Sequence, residues 1–79
     1  MIIKILGTGC PKCRKLEEIT LQAVAEMGVS AEVEKVTELD KIMDYGVMMT
    51  PALVINEKVV ASGKLLAVAD VTALITREM

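Results

Sequence analysis

Cys10 and Cys13 are the only cysteines in the chain, and they stand three positions apart around Pro11 and Lys12. A disulfide closing so short a loop restricts the unfolded chain very little, so the pair makes a poor structural staple. In a reducing compartment such thiols are instead reactive or metal-binding. The reactive reading has a definite geometry. With Cys10 as the N-cap of a helix and Pro11 as its first residue, the missing proline N–H is harmless and the Cys10 sulfur lies over unpaired backbone N–H groups. Those donors and the positive helix end favour thiolate over thiol, the form that attacks a disulfide. Cys13, one turn along the same helix, is then placed to attack a mixed disulfide formed at Cys10 and to act as the resolving cysteine.

Lys12, Arg14 and Lys15 crowd the start of that helix, where positive charge opposes the macrodipole at roughly 0.3 kcal/mol each. They either stabilise the Cys10 thiolate and attract acidic partners, or form a solvated face neutralised by Glu17 and Glu18. A second chemistry open to the dithiol is chelation of a soft ion such as Zn(II), Cu(I) or arsenite. Two sulfurs fill only half of a tetrahedral zinc site, and the chain has no histidine to complete it. The third reading is a noncatalytic interaction domain that docks through Met48 and Met49, whose thioethers make a soft, adaptable apolar surface while one of the two fills the core.

The elements that must position the cysteines follow from pattern. Ile2 to Leu6 is a β-rich run bounded by Gly7-Thr8-Gly9, a sharp strand-to-helix turn. From Pro11, Leu16, Ile19, Ala23, Val24 and Met27 recur at helical spacing, and Gly28 supplies the stop. Val29 to Val36 alternates apolar and polar residues, the period of a strand with one wet face at a sheet edge. Thr37 and Asp40 cap a short helix whose buried stripe is Leu39, Ile42 and Met43, ended by Gly46, with Tyr45 packed at its end and its hydroxyl in water. Ala52–Ile55 and Val59–Ala61 flank Asn56-Glu57-Lys58 as a β-hairpin. Glu57 lacks the freedom of a glycine, so a longer or bulged connection is expected there. Val68, Val71, Leu74 and Ile75 mark the inward face of a last helix. The order β-α-β-α-β-β-α predicts an α/β fold with a mixed four-stranded sheet and three helices, because a helical crossover makes the first two strands parallel.

At this point the strand, the glycine turn, Cys10-Pro11-Lys12-Cys13 and the later Tyr45-Gly46-Val47-Met48-Met49-Thr50-Pro51-Ala52-Leu53-Val54-Ile55 resemble the thioredoxin and glutaredoxin superfamily over nearly the whole chain. The pattern is most similar to the small glutaredoxin-like thioredoxins of archaea and anaerobic bacteria. The resemblance implies a minimal thioredoxin fold, thiol–disulfide oxidoreductase activity, and a cis Thr50-Pro51 peptide beside the cysteines. It also implies that the Thr50 backbone pairs with an extended substrate strand, with Met49 and Gly63 alongside. Lys12 stands where glutaredoxins carry an aromatic residue, and Ser62-Gly63 matches only part of their glutathione loop, since Asp70 lies too far along. Lys4 falls where many thioredoxins carry a buried acid that assists proton transfer at the resolving cysteine. Here Lys4 is expected to extend to solvent, leaving water as the proton acceptor; the alternative is a partly buried amine with a lowered pKa.

Bulk properties narrow the remaining possibilities. The 79 residues are expected to form one domain, 1–79, whose core is packed from aliphatic residues because Tyr45 is the only aromatic. A net charge of −2 gives no electrostatic reason to expect nucleic acid or an anionic membrane as partner. The apolar stretches fall short of the roughly 18 residues needed to span a bilayer, and the start reads as a strand. The expectation is a cytoplasmic monomer without cofactor or resident metal, acting on disulfide-containing proteins and restored by an external thiol reductant or reductase.

Overall fold

Ile2, Ile3, Ile5 and Leu6 surround Lys4 as the only charge in the first strand, and a run so apolar is stable only where both its faces are covered. A computed structural model, which describes residues 1–64 and 66–79, provides that cover. The elements are β1 (Ile2–Leu6), α1 (Pro11–Met27), β2 (Glu32–Val36), α2 (Leu39–Asp44), β3 (Ala52–Ile55), β4 (Lys58–Ser62) and α3 (Val68–Arg77). The sheet runs β2-β1-β3-β4. β1 is parallel to β2 and antiparallel to β3, and β4 is antiparallel to β3. This is the expected minimal thioredoxin fold.

Strand parity divides the core. Ile3, Ile5, Leu53 and Ile55 face α1 and α3, where they pack with Leu16, Ile19, Ala23, Val71 and Ile75. Each of these leucine, isoleucine and valine side chains stabilises the fold by roughly 1.5–3 kcal/mol through burial. Leu6, Ala52 and Val54 face the other way and are covered by Ile42 of α2, with Val36, Tyr45, Val47 and Val59 around them. Thr20 is the buried polar residue of α1, and its hydroxyl donates to the Leu16 carbonyl at 2.7 Å.

Four expectations are corrected. β2 begins at Glu32 instead of Val29, because its pairing starts opposite Ile2; Val29 and Ala31 instead pack on the α1–α3 side of the sheet. The N-cap of α2 is Glu38, not Thr37, and no side chain caps it. With only six residues, this helix rests on the sheet through Ile42 alone, leaving Leu39 and Met43 exposed. The hairpin is tight, with Ile55 opposite Lys58 and both Asn56 and Glu57 at positive φ, 51° and 67°. Asn56 clamps the start of β1, since its Oδ1 accepts from Ile2 N at 3.1 Å and its N–H donates to Ile2 O at 2.8 Å. The irregularity lies in the strands instead: Leu53 opposes Ala61 while Val54 opposes Val59, so Val60 is the extra residue of a bulge.

The last helix gives Asp70 its role. Its carboxylate accepts the Ala67 N–H at 2.9 Å, the reciprocal half of a capping box.

Candidate active site

The site is assembled where β1 ends and α1 begins. Cys10 has the extended backbone of an N-cap (φ −67°, ψ 162°), Pro11 occupies the first turn, and Cys10 O accepts from Arg14 N at 3.1 Å. Cys10 Sγ accepts from the Cys13 N–H at 3.3 Å, so a free donor of the helix mouth is aimed at this sulfur. The two cysteines form a disulfide with Cα atoms 5.1 Å apart, within the range such a bond requires. Their surroundings differ: Cys10 is half-buried whereas Cys13 is only 5% exposed.

Gly7 explains how Cys13 can be so deeply packed. It is buried directly after β1, and a Cβ on it would collide with Sγ of Cys13. In the sequence Gly7 has the look of a turn former; in the fold it vacates the space that the inner sulfur fills. The only signal for it was its place between a buried strand and the cysteine turn.

Lys12, Arg14 and Lys15 are exposed, and the first turn of α1 contains no acid. Glu18 neutralises this cluster only in part, lying 4.0 Å from Lys15. Glu17 turns away from it to Lys35 of β2, at 3.8 Å. Among the described residues no carboxylate pairs with Lys12 or Arg14, so positive charge stands uncompensated around the mouth.

The second wall comes from the β3 side. Antiparallel pairing sets Ala52 opposite Leu6, which brings Pro51, the residue before β3, to the same end of the sheet as Gly7. The Thr50-Pro51 peptide is cis; Pro51 is buried and Thr50 exposed. Gly63, at φ 68°, donates its N–H to Pro51 O at 2.8 Å, and a Cβ there would lie 3.0 Å from Cβ of Met49. Met49, Pro51 and Gly63 are thus one cluster. The expectation that one of Met48 and Met49 fills the core is corrected: they are 97% and 64% exposed, lying in the loop ahead of the buried strand.

Lys4 neither extends freely to solvent nor has a lowered pKa. Its amine donates to Tyr45 Oη at 3.0 Å and pairs with Glu57 at 2.7 Å, while Tyr45 in turn donates to Glu57 at 3.1 Å. The Tyr45 hydroxyl is therefore engaged in a network. The bond to Glu57, then that to Tyr45, holds the Lys4 amine above its usual range, and the same bonds lower the Glu57 carboxyl. A carboxyl lowered on folding stabilises the fold above its unfolded pKa and loses that contribution as pH falls through its folded pKa. A raised amine contributes below its unfolded pKa and loses its contribution as pH rises through the folded one. Glu57→Gln is thus expected to lower the melting temperature modestly at pH 7, because solvent screens the exposed pair. Thermal melts of both proteins should converge as the pH is taken below about 4.

Among the described residues no three His, Cys, Asp or Glu side chains gather as metal ligands. No described helix is long and apolar enough to cross a membrane.

Comparison with known proteins falls on this same frame. The family described as "Thioredoxin domain" matches residues 1–76. The chain is 38% identical to a thioredoxin of Methanocaldococcus jannaschii over 71 residues, 90% of this chain and 81% of that protein. It is 33% identical to a thioredoxin of Methanothermobacter thermautotrophicus over 76 residues, 96% of this chain and 99% of the relative. Likeness on that scale takes in both the cysteine turn and the cis-proline strand, so the chain belongs to the thioredoxin-domain family and is a thiol–disulfide oxidoreductase.

Proposed function

We propose that Cys10 is the attacking sulfur and Cys13 the resolving one, and that the substrate is a protein disulfide presented on an extended chain. The unequal surroundings of the two sulfurs carry this reading: Cys10 is reachable and receives the Cys13 N–H, whereas Cys13 is enclosed. The Cys10 thiolate attacks one substrate sulfur, and the other leaves as a thiolate. Cys13 then attacks Cys10 Sγ, the second substrate sulfur leaves, and two electrons have passed to the substrate as the protein disulfide forms. Pro11 fixes the helix start, Lys12 adds positive charge beside the thiolate, and Pro51 shapes the wall opposite.

Thr50, exposed just outside the sheet, offers its backbone to the substrate strand. Main-chain hydrogen bonds there supply affinity with little demand on sequence. Met49 beside Gly63 supplies an adaptable apolar contact. An external thiol or a reductase restores the dithiol, and the cycle belongs to a cytoplasmic monomer, since a reducing compartment keeps the pair available.

The test is the pH dependence of Cys10 alkylation in the reduced protein, run beside insulin reduction with dithiothreitol. The alkylation rate should inflect at least about one unit below the free-thiol value of 8.5, and insulin should precipitate. An inflection at the free-thiol value, or a dithiol that cycles with small disulfides but leaves insulin intact, would overturn this reading.

A further inference from the structure

Cys13 must give up a proton before it can attack, yet it is almost wholly enclosed. Lys4 is spent on Tyr45 and Glu57, and these contacts lie on the α2 side of the sheet, away from α1. A cleft of about 150 Å³ does reach Cys13, lined also by Gly7, Glu17, Lys35 and Thr37 among others. Its charged groups are Arg14 and Glu17 from α1 and Lys35 from β2. Glu17 stands four residues after Cys13, so the two side chains occupy one helix face with Cβ atoms about 5–6 Å apart. The Glu17 side chain is only 26% exposed and is tethered to Lys35 at 3.8 Å. Arg14, Glu17 and Lys35 supply charged groups to an otherwise largely apolar lining, and the cleft is roomy enough for water, which takes about 30 Å³ per molecule.

We propose that Glu17, held in place by Lys35, is the proton acceptor for Cys13, working through water in this cleft. The inference rests on Cys13 being the resolving cysteine. The Cys13 thiol passes its proton through water to the Glu17 carboxylate, and the resulting thiolate attacks Cys10 Sγ. The bond from Cys10 to the substrate sulfur breaks, and that sulfur leaves with the electron pair and takes a proton from solvent. In the reverse half of the cycle an external thiolate attacks Cys10, Cys13 leaves as thiolate, and the Glu17 carboxyl returns the proton to it. Lys35 is a positioning residue, keeping the carboxylate in the cleft.

Single-turnover kinetics of the reduced protein with a small aromatic disulfide separate the two steps, because each releases one chromophoric thiol. Glu17→Gln is expected to slow the second release about tenfold at pH 6.5, a smaller effect than a positioned base usually has because bulk water partly substitutes. The first release should stay within about twofold, since it is made by Cys10 and does not involve the Cys13 proton. Glu17→Asp should recover part of the loss, and Lys35→Met should slow the second step less than Glu17→Gln does. In the wild type the rate of that step falls toward acid pH, and in Glu17→Gln this limb is absent. A Glu17→Gln protein with native circular dichroism and an unchanged second step and profile overturns the proposal. A wild type that releases no second thiol overturns the assignment of roles beneath it.

Discussion

Cys13→Ser is expected to accumulate a covalent adduct at Cys10 when offered a disulfide, whereas Cys10→Ser should accumulate none. Removing either sulfur should lower multiple-turnover reduction at least about a thousandfold, as deleting one member of a cooperating set commonly does. What separates the variants is the species left behind. Without Cys13 no internal sulfur lies beside Cys10 to release the bound substrate, so the mixed disulfide persists until an external thiol arrives. Without Cys10, the sulfur that remains is 5% exposed and packed against Gly7, where a foreign disulfide has no approach. Intact mass measured without reductant reads the outcome directly, and equal trapping by both variants would reverse the roles or abolish them.

Gly7→Ala is expected to be the most damaging single-methyl change in the molecule. The added Cβ would overlap Sγ of Cys13 and lie 3.0 Å from its Cβ. In the oxidised protein that sulfur is bonded to Cys10, so it cannot swing aside as the end of a flexible side chain would. Either β1 or the first turn of α1 must move. Overpacking of this kind costs about 1–3 kcal/mol, a fall in melting temperature on the order of 10 °C for a chain this small. The reduced protein, whose Cys13 thiol can rotate, should lose less than the oxidised one. Calorimetry of both forms checks the prediction, and an Ala variant melting like the wild type in each would show that the sulfur is not confined as described.

How much of this was legible in the sequence depended on the range of the interaction involved. The N-cap at Cys10 and the proline at the start of α1 were readable because both are consequences of the first helical turn. The cis Thr50-Pro51 bond was reached through family resemblance, since nothing local to Met49 or Thr50 announces it. Gly7 and the Glu17–Lys35 pair were not legible in their roles, because each is defined by a residue on a different element. The short helix α2 misled in the opposite way: Leu39 and Met43 have the spacing of a buried stripe, but so short a helix presents one side chain to the sheet and carries the others clear of it. Glu57 was read from its own backbone preference, whereas a lysine more than fifty residues earlier, Lys4, holds it in the turn.

The bulge at Val60 has a consequence beyond the hairpin. β4 forms an outer border of the sheet, where a straight strand would present an even row of unpaired amides and carbonyls to any neighbouring molecule. Doubling one position against its partner breaks the spacing of that row and turns the border out of plane, and Lys58 puts a cation at its start. Stacking of copies border to border, the first step toward fibrils, is thereby discouraged in a protein whose work requires another chain to lie down as a strand.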